Sequence, residues 1–251
     1  MNSPSKETTV LDQISDISTA LGRETALIKR WMDARVFGKE TRDQRVFILD
    51  NFLPEEEFKA VQKLAMDNRD VFFRKNSAVR SGAALGLHEL KESACSGVVD
   101  ALVNESFLQR VRDRSGIEDM KYMPPEDRNQ ISLLYYAAAG DGIDWHFDGN
   151  IYLGQRWAGL YTLFEDTNDE KTKLEVEVDG KVITFNREEV HNTLILLQGD
   201  QVKHRVRPMA EGEQRLVVNL LFSPTPEVTN NPVLRFYQAM VNYVFYGKTN
   251  R

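Results

Sequence analysis

From Gln130 to Phe222 the chain is a succession of short strand-like segments, and this run limits the fold more than any other feature. The segments 130–139, 144–148, 156–165, 173–185, 192–198, 202–207 and 214–222 are separated by turn signals. Gly140-Asp141-Gly142 is one such signal. Asp179-Gly180, inside the segment 173–185, suits the type I′ turn of a two-residue hairpin. The segment 214–222 alternates: Arg215, Val217, Asn219 and Leu221 share one face, and Leu216, Val218 and Leu220 the other.

The first half reads differently. Residues 8–37 carry Leu11, Ile14, Ile17, Leu21, Leu27, Ile28 and Trp31 at helical spacing, a stripe expected to pack on a core. A strand over 45–49 precedes Pro54, which opens a helix over 54–67 with Glu55-Glu56-Glu57 in its first turn. The segment from Arg74 to Ala84 is polar and contains glycine, as expected of a loop crossing the mouth of a barrel. Residues 89–115 read as helix, and an aromatic-rich helix over 233–246 closes the chain. Helices followed by a run of strands predict an α+β, mainly β fold, an antiparallel sandwich braced by N-terminal and C-terminal helices. A single domain over 1–251 is expected, with a helical segment 1–45, a core 46–225 and a C-terminal helical segment 226–251.

Composition bounds the function. A hydrophobic content of 41% and a charged content of 28% describe a globular chain. The net charge of −6, with no long basic block, argues against a nucleic-acid partner. No run approaches a membrane span, and Met1 to Glu7 lacks the basic-then-apolar pattern of a signal peptide. Cys95 is the sole cysteine, so no intrachain disulfide forms. A reducing, cytoplasmic setting follows as an expectation, and assembly as a homodimer is compatible with all of this.

The chemistry is concentrated late in the chain. In Trp145-His146-Phe147-Asp148 an imidazole and a carboxylate stand two residues apart, so on an extended strand both reach one ion. With His204 as a second imidazole, two histidines and a carboxylate form the facial triad of non-haem Fe(II) sites. Taken alone, His146 reads equally well as a strand histidine hydrogen-bonded to Asp148. His191 competes with His204 as the distal ligand, but no basic residue after it opens an apolar strand as Arg215 does after His204. His88 reads as a structural or substrate-facing residue at a helix start. Arg215 is either solvent-facing at a strand start or turned inward, where it needs an anion such as a small dicarboxylate.

The ordered set Leu49-Asp50-Asn51-Phe52-Leu53-Pro54, Tyr135-Tyr136, His146-Phe147-Asp148, Gly199-Asp200, His204-x-Val206-x-Pro208, Gly212 and Arg215 resembles a 2-oxoglutarate/Fe(II)-dependent dioxygenase of the prolyl 4-hydroxylase-like branch. It covers about residues 46–223. The resemblance implies a double-stranded β-helix, or jelly roll, with iron at its open end. It implies Fe(II) held by His146, Asp148 and His204, and 2-oxoglutarate anchored by Arg215 with an inward tyrosine, either Tyr135 or Tyr136. O₂ is then reduced as 2-oxoglutarate is oxidatively decarboxylated to succinate, and an unactivated C–H bond is hydroxylated. The iron motif also occurs in alkylation-repair demethylases, a reading the acidic charge opposes.

Two finer expectations concern the substrate. Chain size and the stretch Gly140 to His146 are similar to free-amino-acid hydroxylases related to the lysine radical halogenases. This predicts a small-molecule substrate, a free and cationic amino acid such as lysine, with a peptidyl-prolyl substrate as the alternative. Asp141 or Asp144 would pair with its ammonium, and Asn219 would bind its backbone; Asp141 as a plain turn residue and Asp144 as a solvated strand start are equally open. The halogenases have a small residue where this chain has Asp148, so hydroxylation rather than halogenation is expected.

Overall fold

The computed structural model describes residues 10–36, 44–74, 76–77, 79–236 and 239–240. In chain order, α1 (Val10–Arg35) is followed by β1 (Val46–Leu49), α2 (Glu55–Asp67), β2 (Phe73–Arg74), β3 (Arg80–Ser81) and β4 (Ala83–Gly86). Three short helices come next, α3 (Leu87–Lys91), α4 (Ser96–Leu102) and α5 (Glu105–Ser115), then β5 (Lys121–Tyr122). The remaining strands are β6 (Ile131–Tyr136), β7 (Gly142–His146), β8 (Trp157–Asp166), β9 (Lys171–Val178), β10 (Lys181–Asn186), β11 (Leu194–Leu197), β12 (Lys203–Val206) and β13 (Gln214–Ser223).

Two antiparallel sheets form a jelly roll. The larger runs β1-β11-β8-β13-β6-β4-β2, with β5 also paired to β13, and the smaller runs β10-β9-β12-β7-β3. The alternation of β13 decides what each face does. Leu216, Val218 and Leu220 join Leu133 and Ile131 of β6 in the main core, against Phe58 and Val61 of α2 and Leu90, Val98 and Phe107 of the following helices. Arg215, Val217 and Asn219 point the other way, into a cavity between the sheets. Truncating a fully buried member of that core, such as Leu220, is expected to cost about 2–5 kcal/mol through lost contacts and a residual void.

Local signals explain the elements. The hairpin joining β9 and β10 turns through Asp179 (φ 50°) and Gly180 (φ 69°), the two positive values a type I′ turn requires. The stretch 89–115 is not one helix. It breaks before α5, where the Asn104 side chain accepts a hydrogen bond from the Phe107 N–H at 2.9 Å, and α5 ends at Gly116 (φ 72°).

Other expectations need correction. The segment 74–84 holds β3 and the first half of β4 and so extends both sheets. The α1 stripe is core only in part: Leu27 is buried, whereas Leu21 and Ile28 are exposed. Polar contacts dock this helix instead, Arg23 to Glu227 at 2.9 Å and Arg30 Nη2 to the Leu153 carbonyl at 2.7 Å. The helix expected over 233–246 falls largely outside the described residues, of which 232–236 are helical. Among the described residues, no helix is long and apolar enough to cross a membrane.

Candidate metal centre and cavity

His146 ends β7 and His204 lies on β12, and the two are direct partners in the β7–β12 register. Their ring centroids are 4.3 Å apart. Each ring is oriented by the carbonyl two residues earlier: His146 Nδ1 lies 2.8 Å from the Asp144 oxygen and His204 Nδ1 3.0 Å from that of Val202. A donor N–H at Nδ1 fixes the tautomer and puts the ring lone pair on Nε2. Both Nε2 atoms face Asp148 Oδ1, at 3.9 Å and 4.0 Å. Burial, and then the neighbouring His204, push the His146 pKa down to about 4, so its ring is neutral near pH 7 and fit to ligate.

Asp148 is placed by a mechanism different from the one its spacing suggested. β7 stops at His146, and Asp148 lies beyond the strand. Its backbone N–H donates to the Gly199 carbonyl at 2.8 Å, which turns the side chain toward the histidines. The two loops are clipped together by Asn150 Nδ2, which donates to Asp200 Oδ2 at 2.7 Å. A β-carbon on Gly199 would lie 2.0 Å from Asp148 Oδ2, so glycine is required there for close approach. The donor atoms of His146, Asp148 and His204 all lie within 4.8 Å of one another, and this is the one such group found among the described residues. Two imidazoles and one carboxylate, converging from a half-buried site, fit a divalent first-row metal such as Fe(II).

The cavity beside this group is lined by both sheets. Ser132, Leu134 and Tyr136 of β6 and Arg215, Val217 and Asn219 of β13 form its floor at i, i+2, i+4 spacing. Arg215 is 1% exposed and pairs through Nε with Glu165 Oε2 at 2.9 Å, while its Nη2 donates to Thr162 Oγ1 at 3.3 Å. The arginine is therefore inward, and β8 supplies a carboxylate partner that the local sequence did not signal. Tyr136 is the inward tyrosine. Tyr135 faces the helical side, its ring 5.9 Å from that of Phe72 and its hydroxyl bonded to Gln214.

The expected ammonium partners are elsewhere. Asp141 is 1% exposed and does not line the cavity. It accepts from Arg74 Nη2 at 2.6 Å, Ser81 Oγ at 3.0 Å, and the N–H groups of Ala137 and Ala138 at 3.1 Å and 2.9 Å. Burial raises its pKa, but these four partners together outweigh that and hold the carboxyl below its ordinary value. Asp144 is exposed, and it is its backbone carbonyl that serves the site, through His146. Asn219 does line the cavity, with Oδ1 buried and lacking a hydrogen-bond partner. His191 is on the outside, 3.3 Å from Glu55 and edge-on to Phe58. Arg80 and Arg156 also line the cavity and were missed, because neither lies at a spacing that marks it in sequence.

No family model matches the chain, and a search of curated proteins returns no match. Solved structures do match. A 2OG-Fe(II) oxygenase family oxidoreductase from Burkholderia pseudomallei aligns at TM-score 0.57 and 11% identity, over 80% of this chain and 93% of its own. The fold is that of 2-oxoglutarate/Fe(II) oxygenases. A Trichoplax adhaerens prolyl hydroxylase, solved with a hypoxia inducible factor oxygen degradation domain peptide, aligns at TM-score 0.52 and 19% identity, over 79% of this chain and 92% of its own. The epimerase SnoN from nogalamycin biosynthesis, in complex with Fe3+, alpha ketoglutarate and nogalamycin RO, aligns at TM-score 0.55 and 10% identity, over 84% of this chain and 90% of its own.

Proposed function

We propose that the protein is a 2-oxoglutarate- and Fe(II)-dependent dioxygenase that hydroxylates a C–H bond of a small molecule, a free amino acid. The observation that carries this reading is the convergence of His146, Asp148 and His204 on one point at the wall of a cavity that also holds Arg215. Fe(II) and 2-oxoglutarate, when bound, supply O₂ activation coupled to decarboxylation of the co-substrate to succinate and CO₂.

The remaining work belongs to the chain. His146, Asp148 and His204 hold the metal, and the carbonyls of Asp144 and Val202 keep both rings in the ligating tautomer. Arg215 anchors the distal carboxylate of 2-oxoglutarate beside Tyr136. Glu165 fixes the guanidinium through Nε, leaving Nη1 without a hydrogen bond in the structure. Leu134, Leu160, Val206 and Val217 make the intervening wall apolar, which excludes water from the reacting carbon. Asn219 Oδ1 is a free acceptor for an amino or amide N–H of the substrate.

The amino-acid reading does not extend to a cationic side chain held by Asp141 or Asp144, since neither carboxylate lines the cavity. The test is oxygen insertion during incubation with Fe(II), 2-oxoglutarate and O₂, across a panel of free amino acids and one proline-rich peptide. Hydroxylated free amino acid with no peptide present supports the reading; a product from the peptide alone overturns it in favour of a peptidyl substrate.

A further inference from the structure

Arg80 is 4% exposed and lines the cavity, yet its buried Nε has no hydrogen-bond partner. Its Nη2 makes one long bond, to the Ala83 carbonyl at 3.3 Å, and no carboxylate among the described residues lies within ion-pair distance. A buried, unpaired guanidinium is strongly unfavourable unless its partner arrives with a ligand.

The placement of Arg80 is built. Its backbone pairs with Ile143 of β7, its N–H donates to Ser77 Oγ at 3.1 Å, and its carbonyl accepts from the Ser77 N–H at 2.7 Å. On either side, Arg74 and Ser81 are tied to the buried Asp141. The Asp141 carboxylate is thus spent on positioning this segment, and Arg80 is left to the cavity.

Charge accounting points the same way. Arg215 is matched by Glu165, and Arg156 stands 3.8 Å from Asp148. A divalent metal and a dianionic co-substrate cancel each other. Among the described residues that line the cavity, one positive charge, that of Arg80, is left over. We infer that the substrate brings a carboxylate of its own and that Arg80 binds it, a conclusion that rests on the function proposed above. The same chemistry is offered by a free amino acid and by an acidic or C-terminal carboxylate of a peptide.

Binding to the full chain loaded with Mn(II) and 2-oxoglutarate, followed by calorimetry, tests this without turnover. The probes are free lysine, glutamine and leucine, their carboxamides, and one proline-containing peptide with a free or amidated C-terminus. The acids are expected to bind at least about tenfold tighter than their amides, a difference of about 1.4 kcal/mol. Arg80→Gln should remove that preference while leaving 2-oxoglutarate affinity within about twofold, and Arg80→Lys should restore part of it. Acid preference confined to the peptide pair assigns the carboxylate to a peptide. Equal binding of acids and amides, or loss of 2-oxoglutarate affinity in Arg80→Gln, overturns the inference. Failure of the unmodified chain to bind Mn(II) or 2-oxoglutarate overturns the underlying function instead, and the inference with it.

Discussion

Gly199 packs against Asp148 so closely that a β-carbon on it would meet the carboxylate at 2.0 Å. Substitution by alanine must therefore displace the carboxylate from the two histidines. Gly199→Ala is expected to weaken Fe(II) binding by about tenfold or more, the scale seen when support for a metal ligand is lost. Titration with Fe(II) under anaerobic conditions, beside a melting curve to confirm folding, reads this directly. Unchanged affinity would show that the loop adjusts without moving Asp148.

The choice of distal ligand is tested by a pair of histidine variants. His204→Ala should lose the metal, whereas His191→Ala should retain it, because His191 is on the outer surface beside Glu55. The reverse pattern in anaerobic Fe(II) titration would reassign the centre.

Arg215 pairs with Glu165 and is proposed to anchor 2-oxoglutarate, and the two roles can be separated. Arg215→Ala leaves Glu165, 3% exposed on its side chain, without its cationic partner and with only the Lys173 N–H as donor, at a cost of about 3–5 kcal/mol. Adding Glu165→Gln should recover most of that stability in urea denaturation. The 2-oxoglutarate KM should stay raised by about tenfold or more in both variants, as loss of a charge-assisted bond predicts. A normal KM in the double variant would place the anchor elsewhere.

Asp141 predicts a pH dependence. Its carboxyl pKa is lower in the folded chain than in the unfolded one, so its contribution is present above the ordinary carboxylate pKa and is lost as pH falls through the folded value. Asp141→Asn should be less stable than the unmodified chain at pH 7, and the gap should shrink at about pH 3, below the ordinary carboxylate range. A gap that widens on acidification would contradict the network drawn around it.

Reaction outcome follows from Asp148. On the proposed function Asp148 would be the third protein ligand of the metal, so hydroxylated product is expected in chloride buffer. Chlorinated product from the unmodified chain would refute this.

Much of the scaffold was readable because its period is local. The alternation of Arg215, Val217 and Asn219 against Leu216, Val218 and Leu220 sorted β13 correctly, and Asp179-Gly180 marked the β9–β10 hairpin. What escaped was non-local. The partner of Arg215 lies fifty residues upstream on a neighbouring strand, and no local pattern encodes a cross-strand ion pair. β3 is two residues long, too short for any periodicity, so Arg80 passed as part of a loop. Asp141 stayed open between an available carboxylate and a plain turn residue because its four partners come from three separate segments.

The most direct test of the account is O₂-dependent conversion of 2-oxoglutarate to succinate by the purified chain, compared with Asp148→Ala. The account predicts succinate only when Fe(II), 2-oxoglutarate and O₂ are all supplied, stimulated by a carboxylate-bearing small molecule, and absent in the variant. Equal succinate from the unmodified chain and Asp148→Ala would contradict it.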